Sequence, residues 1–209
     1  MCYHFQQHKN SKQVQLRFNA TLEDLDDFLP ESYNGFAHPL TPIIMNDNLG
    51  LIKKAEWGLL PSFVKDVNSF RNKTNLLNAK IETVEKLPSF RNYVDNRCLV
   101  IASSFYEWKW NDAKGKLKIK HQISATGDEL FAMAGLYAEF EDKVTYTILT
   151  TEANELMATI HNSKKRMPVI LQKEEEELWL KGEPFEIYHN RKGIELLAKP
   201  LDDLPLQLF

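Results

Sequence analysis

A chain of 209 residues, 43% hydrophobic and 26% charged, is sized for one compact domain over 1–209 with a sizeable core. The net charge of −3 excludes a uniformly basic nucleic-acid binder, and two cysteines in this length exclude a disulfide framework. No apolar run is long enough for a membrane-spanning helix, and the opening Met1-Cys2-Tyr3-His4-Phe5 lacks the apolar stretch of a secretory signal, so a cytoplasmic protein is expected.

In chain order, residues 13–18 alternate, with Val14, Leu16 and Phe18 on one side, which predicts a half-buried strand. Thr21 is placed to cap a short helix through Leu25 and Phe28, ended by Pro30. Strands are predicted over 42–45 and 51–57, then a turn at Trp57-Gly58-Leu59-Leu60-Pro61, then a helix over 78–87 stopped by Pro88. Further strands are predicted over 97–103, 105–110, 116–123, 130–137, 144–150 and 167–171. Helices are predicted over 152–160 and 173–180, the second with Trp179 packed inward. Many short strands and few short helices imply an α+β fold, built as a curved antiparallel sheet or part-closed β-barrel with flanking short helices.

The charge is unevenly spread. Residues 50–170 hold 18 Lys and Arg against 14 Asp and Glu, while the rest of the chain holds 8 against 15. Lys53-Lys54, Arg71, Lys73, the alternating Lys114, Lys116, Lys118 and Lys120, and Lys164-Lys165-Arg166 supply the excess. They are either a local basic face or ordinary solvated lysines, and charge alone favours the second.

No phosphate-binding glycine loop, H-E-x-x-H, paired C-x-x-C or G-x-S-x-G is present. Four segments remain as candidates for chemistry. Cys2 follows the initiator methionine, and removal of Met1 leaves an α-amine and a thiol on one residue. Such an aminothiol condenses with an aldehyde to an imine, and the thiol then closes a five-membered thiazolidine ring. The bland alternative is a chance residue near a terminus. Glu107, in Phe105-Tyr106-Glu107-Trp108, is either a carboxyl in an apolar setting or a solvent-facing strand residue between inward aromatics. His161, before a basic loop, is either an acid/base group beside phosphates or a helix-end cap. Asn78 is either a polar positioning group or a helix N-cap. Cys98, in the apolar run Arg97 to Ala102, reads as an inert core thiol.

Taken collinearly, these segments resemble the SOS response-associated peptidase (SRAP) family. The resemblance is carried by Cys2 after Met1, the Trp57-Gly58-Leu59-Leu60-Pro61 turn, Asn78-Ala79-Lys80-x-Glu82-Thr83 and Phe105-Tyr106-Glu107-Trp108. It continues through Leu149-Thr150-Thr151-x-Ala153-Asn154 and His161 leading to Arg166-Met167-Pro168. It implies a single α+β domain that removes its own Met1 and crosslinks Cys2 through a thiazolidine to abasic sites in single-stranded DNA. Those activities are of the autopeptidase and lyase classes. The family's catalytic positions fall on Cys2, Asn78, Glu107 and His161. Cys2 supplies amine and thiol, His161 protonates the sugar ring oxygen, Glu107 shuttles a proton, and Asn78 fixes the terminal residue. DNA contacts are expected from His4, Lys80, Trp108, Thr150 and Arg166, with Trp57 and Phe63 as further aromatic candidates. Core packing is the favoured reading of Trp57.

The chain departs from the family pattern in places. Tyr3-His4 stands where Gly-Arg is usual, Lys80 replaces an arginine, Ser104 replaces a glycine, and Asn162 to Lys165 lengthen the approach to Arg166. No cofactor and no metal are expected, a site on Cys2 and His4 having only two ligands. A monomer that becomes nucleoid-associated on DNA damage is expected, with no membrane partner. Two alternatives use the same residues: an N-terminal-nucleophile cysteine hydrolase acting on peptides in trans, and a non-catalytic single-stranded DNA module.

Overall fold

The computed structural model describes residues 2–23, 31–127 and 129–201. In chain order the elements are β1 (His4–Gln7), α1 (Ser11–Phe18), β2 (Thr21–Leu22), β3 (Glu31–Asn34), β4 (Leu40–Met45), β5 (Leu51–Trp57) and α2 (Val67–Lys73). There follow β6 (Asn78–Lys80), β7 (Arg97–Ala102), β8 (Ser104–Trp110), β9 (Lys118–Ala125), β10 (Phe131–Phe140) and β11 (Lys143–Glu152). The last are α3 (Glu155–Ile160), β12 (Arg166–Pro168), β13 (Ile170–Leu171), α4 (Lys173–Leu180) and β14 (Leu196–Leu201).

Strands β5, β4, β7, β10 and β11 pair antiparallel in that order. A parallel contact of β11 with β5, at Thr145 opposite Glu56 and Tyr146 opposite Trp57, closes them into a barrel. The α+β expectation therefore holds, with a closed barrel in place of a part-closed one. Closure leaves fewer free strand edges. Alternate residues of β7 enter two cores. Cys98, Val100 and Ala102 pack with Phe5, Trp57, Phe105 and Tyr146. Leu99 and Ile101 pack with Trp179 and Tyr188. A strand buried on both faces reads as an unbroken apolar run, as 97–102 does. Gly135 of β10 lies opposite Cys98, and a Cβ there would stand 2.8 Å from the Cys98 sulfur and 2.9 Å from the Thr147 carbonyl oxygen. Only glycine permits that approach.

A second, five-stranded sheet runs β14-β9-β8-β1-β3. In it β1 pairs with β8 through Phe5 opposite Phe105 and Gln6 opposite Ser104. Phe5 also packs on Trp57, ring centroids 5.1 Å apart, and the Trp57 indole N–H donates to the Leu77 carbonyl at 2.9 Å. Trp57 is wholly buried, a core residue that joins the sheet, the barrel and the approach to β6.

Four sequence expectations are corrected. Residues 13–18 are helix α1, not a strand. Asn10 and Gln13 form a capping box at its start, and Asn19 ends it in the left-handed region. Leu16 is 83% exposed, so the alternation marked no buried face. Residues 78–87 are strand β6 and a 3-10 turn at Val84–Lys86, not a helix, because Asn78, Ala79 and Lys80 pair in parallel with Ile148, Leu149 and Thr150 of β11. Thr21 starts a two-residue strand parallel to β5, and residues 24–30 of the expected helix lie outside the described residues. The strand expected over 167–171 is divided at Val169, whose N–H reaches Leu149 and whose carbonyl accepts from Ala134. Strands β1, β3 and β14 and helix α2 had no counterpart in the expectations. The remaining elements lie within a few residues of their expected bounds.

Candidate active site

The four residues singled out for chemistry come from four distant elements and meet at the start of β1. Cys2 lies two residues before that strand begins and is completely buried. Its carbonyl accepts a 2.8 Å hydrogen bond from the Asn78 side-chain amide at the head of β6. Its thiol points at the His4 carbonyl, 3.5 Å away. Glu107, on the strand that pairs with β1, is 4% exposed, and its carboxylate lies 3.9 Å from the imidazole Nε2 of His161 at the end of α3. The Cys2 position is thus fixed twice, by the β1–β8 ladder and by an amide from β6.

Local sequence explains each placement. Asn154 caps α3 by accepting from the Met157 N–H at 2.9 Å, so the helix starts late and ends after six residues, with His161 as its last-turn cap. The His161 Nδ1 is 2.8 Å from the Arg166 carbonyl oxygen. A carbonyl only accepts, so Nδ1 carries the proton and Nε2 faces Glu107 with a lone pair. The 3.3 Å approach of the Arg166 N–H to the same Nδ1 is then a near contact and not a second bond.

Burial sets the charges. It pushes the Glu107 carboxyl up to about 7 and brings the His161 imidazole down to about 4. At neutral pH the glutamate is close to half protonated and the histidine is neutral, so the 3.9 Å contact is not an ion pair. The Cys2 thiol is pushed well above its ordinary range by burial, with the Glu107 charge adding to the effect. The site thus holds a protonated thiol, a carboxyl poised at neutral pH and a neutral imidazole, a set suited to moving protons during addition to a carbonyl or an imine.

The residues expected to contact DNA divide into two groups. His4, two residues from Cys2, and Trp108, next to Glu107, stand together edge to face with ring centroids 5.1 Å apart. Burial, followed by the nearby Lys120, lowers the His4 pKa, so His4 is a weak source of positive charge. Lys80 is exposed at the end of β6. Thr150 is completely buried, and its hydroxyl donates to the Ala79 carbonyl at 3.2 Å, buttressing β6 from behind. Arg166 makes two 2.8 Å bonds to the two carboxylate oxygens of Glu82 and a 2.6 Å bond to the Thr150 carbonyl. That fork ties β12, whose Arg166 carbonyl holds the His161 ring, to the segment after β6. Phe63 is 58% exposed and packs on Phe70, away from these contacts.

Sequence reasoning did not give Glu82 its role as the Arg166 partner, nor assign any role to Asn162, Trp110 or Lys120. The alternation of lysines from 114 to 120 was the available signal for the last of these.

The family model described as SOS response associated peptidase (SRAP) matches residues 1–205. The abasic site processing protein YoqW of Bacillus subtilis (strain 168) is 40% identical over 169 residues, covering 75% of this chain and 72% of the relative. The abasic site processing protein HMCES of Gallus gallus is 30% identical over 173 residues, covering 71% of this chain and 49% of that longer relative. Among solved structures, a protein from Bacteroides thetaiotaomicron superposes with a TM-score of 0.82 at 28% identity, over 97% of this chain and 93% of the other.

Proposed function

The chain belongs to the SOS response associated peptidase family, and from that premise we propose that it processes abasic sites in single-stranded DNA by forming a covalent bond through Cys2. Hydrolysis of the Met1–Cys2 peptide bond consumes one water, releases methionine and exposes the Cys2 α-amine. The amine adds to the aldehyde carbon of the ring-opened abasic sugar, and loss of one water gives an imine. The Cys2 sulfur then bonds to the imine carbon while the thiol proton passes to nitrogen, closing the thiazolidine. The overall condensation with the sugar releases one water.

The observation that carries this reading is the capture of Cys2 by Asn78 at 2.8 Å beside a buried Glu107. A residue whose only task was packing would need neither. The Asn78 Oδ1 is buried and makes no hydrogen bond among the described residues. It is an acceptor available to the α-amine created when Met1 leaves. Glu107, near 7, is matched to donating a proton to the departing sugar or hydroxyl oxygen and taking one back from the amine. His161 was expected to protonate the sugar ring oxygen. With its pKa near 4 it stays neutral beside Glu107, its Nε2 3.9 Å from that carboxylate and too far for a direct hydrogen bond. Arg166 holds the histidine through its carbonyl and the β6 segment through its side chain.

The test is a denaturing gel with intact-mass measurement after mixing the protein with a single-stranded abasic oligonucleotide. A species of mass equal to protein lacking Met1 plus oligonucleotide less one water, formed without borohydride, is the expected result. Protein shown to begin at Cys2 that yields no such species would end the proposal. Peptide turnover dependent on Cys2 would then favour hydrolysis in trans.

A further inference from the structure

The outer face of the five-stranded sheet carries a strip of side chains that the chemistry above does not use. In the β8–β9 ladder Trp108 lies opposite Lys120 and Trp110 opposite Lys118. Directly opposed residues share a face, so aromatic and cationic groups alternate across it. The Lys120 ammonium sits 4.3 Å from the Tyr106 ring centroid and 5.7 Å from that of Trp108, and the Lys118 ammonium sits 5.3 Å from Trp110. The strip begins near Cys2, because His4, two residues from Cys2, packs on Trp108.

Its far end is also fixed to the site. Asn162, the neighbour of His161, accepts from the Trp110 N–H at 3.1 Å and donates to the Trp110 carbonyl at 2.8 Å. Between β8 and this loop lies a hollow of about 540 Å³, lined by Trp110, Asp112, Asn162, Ser163 and Lys164 among others. That volume lies in the range of small-ligand sites. The carboxylate there, Asp112, accepts from the backbone N–H groups of Lys114, Lys116 and Leu117, which turns it towards the β8–β9 turn.

We infer that this strip is a docking track for single-stranded nucleic acid, on which a strand held at Cys2 stacks bases on Trp108 and Trp110 and lays its phosphates beside Lys118, Lys120 and Lys164. The inference rests on the proposed single-stranded partner and adds the direction in which the strand leaves Cys2. Flat rings interleaved with cations suit stacked bases joined by phosphates. An acidic peptide would leave the rings unused. Lys118 is exposed, so its ammonium is free to leave the ring for a phosphate while a base takes its place. Stacking tolerates any base, so the track confers affinity without sequence preference.

The test measures binding of an undamaged, labelled oligothymidylate of roughly 12 nucleotides, which cannot crosslink. Trp110→Ala is expected to weaken binding about tenfold. Lys118→Ala with Lys120→Ala is expected to lower the slope of log affinity against log salt by about 1.4, the loss of two phosphate contacts on a single strand. Lys12→Ala with Lys192→Ala, two exposed cations outside the strip, serves as the charge-matched control. The double lysine variant changes no buried residue, so it stands if Trp110→Ala fails to fold. Affinity and salt slope equal to the control in both variants would overturn the track. Equal losses on a blunt duplex would assign the face to duplex DNA and overturn it as well. Adduct formation by the unaltered protein is scored separately: an adduct without a strip effect removes only the track, and a strip effect without an adduct removes only the crosslinking.

Discussion

Cys2 and Cys98 are both completely buried, both free and both held protonated by loss of solvent. Their surroundings divide them. Burial alone raises the Cys98 thiol, and its neighbours Val100, Gly135 and Met133 are apolar. The Cys2 thiol also feels Glu107, and its carbonyl is gripped by Asn78. Equal burial thus gives equal silence at rest, and reactivity depends on which groups are placed to move the proton. Chain position adds the second difference, because only Cys2 gains an α-amine from one hydrolysis.

The contrast breaks most completely by removing each sulfur in turn. Cys2→Ala is expected to abolish adduct formation on a denaturing gel. Cys98→Ala is expected to retain it while losing about 1–2 kcal/mol of stability in a denaturant titration, as for a small group removed from a packed core. Adduct lost equally in both would erase the distinction.

Next in size is the proton carrier. Glu107→Gln keeps the shape and removes the titration, so the adduct rate is expected to fall by about 10²–10⁴. The unaltered protein should show a pH–rate profile with an inflection near 7 that the variant lacks. A profile unchanged in the variant would reassign the proton transfer.

The same substitution has an opposite effect on stability. Glu107 titrates higher in the folded chain than in the unfolded one, about 7 against 4.5. The folded state therefore favours the protonated form, and the stability from that preference is complete below 4.5 and is lost as pH rises through 7. Glu107→Gln should be more stable than the unaltered protein at pH 8, by up to about 3 kcal/mol, with the gain vanishing below pH 4.5. His161, lowered to about 4, costs stability at the other end, as pH falls from 6.5 through 4. Thermal unfolding at pH 4.5 and pH 8 reads both signs.

The last expected effect returns to Cys98. Gly135→Ala is expected to cost about 1–3 kcal/mol, because the new methyl meets the Cys98 sulfur and the Thr147 carbonyl. Combined with Cys98→Ala, part of that cost should be relieved and part kept, since the backbone oxygen cannot be removed. Strict additivity in a double-mutant cycle would mean that the two residues do not share the space.

The strands of the barrel were legible because both of their faces are buried, so that apolar residues run together, as at 98–102, or alternate with threonines, as at 144–148. The α+β class followed from them. Helix α1 was misread because its one strongly buried apolar residue, Val14, gives no period, while the capping pair Asn10 and Gln13 that decides the matter is polar. Strand β6 was misread because three residues have little preference of their own and take their conformation from β11, some 70 residues away. At the site, residue types pointed to Cys2, Asn78, Glu107 and His161 only once they were taken together. Their meeting point is a property of the β1–β8 ladder, which joins residues a hundred apart and has no local signature. Glu82 and Asn162 were named without a role because each acts through a partner, Arg166 and Trp110, distant in sequence.

The pairing of β1 with β8 joins residue 5 to residue 105 and residue 6 to residue 104. A ribosome delivers these segments in order and at a finite pace. The first strand therefore has no mate on this side until half of the polypeptide has emerged, and the imidazole that completes the cluster follows some 55 residues later. Contacts of such long reach form slowly. For most of its synthesis the chain therefore carries Cys2 without the full cluster around it, and the four side chains are brought together only by completion of the fold itself.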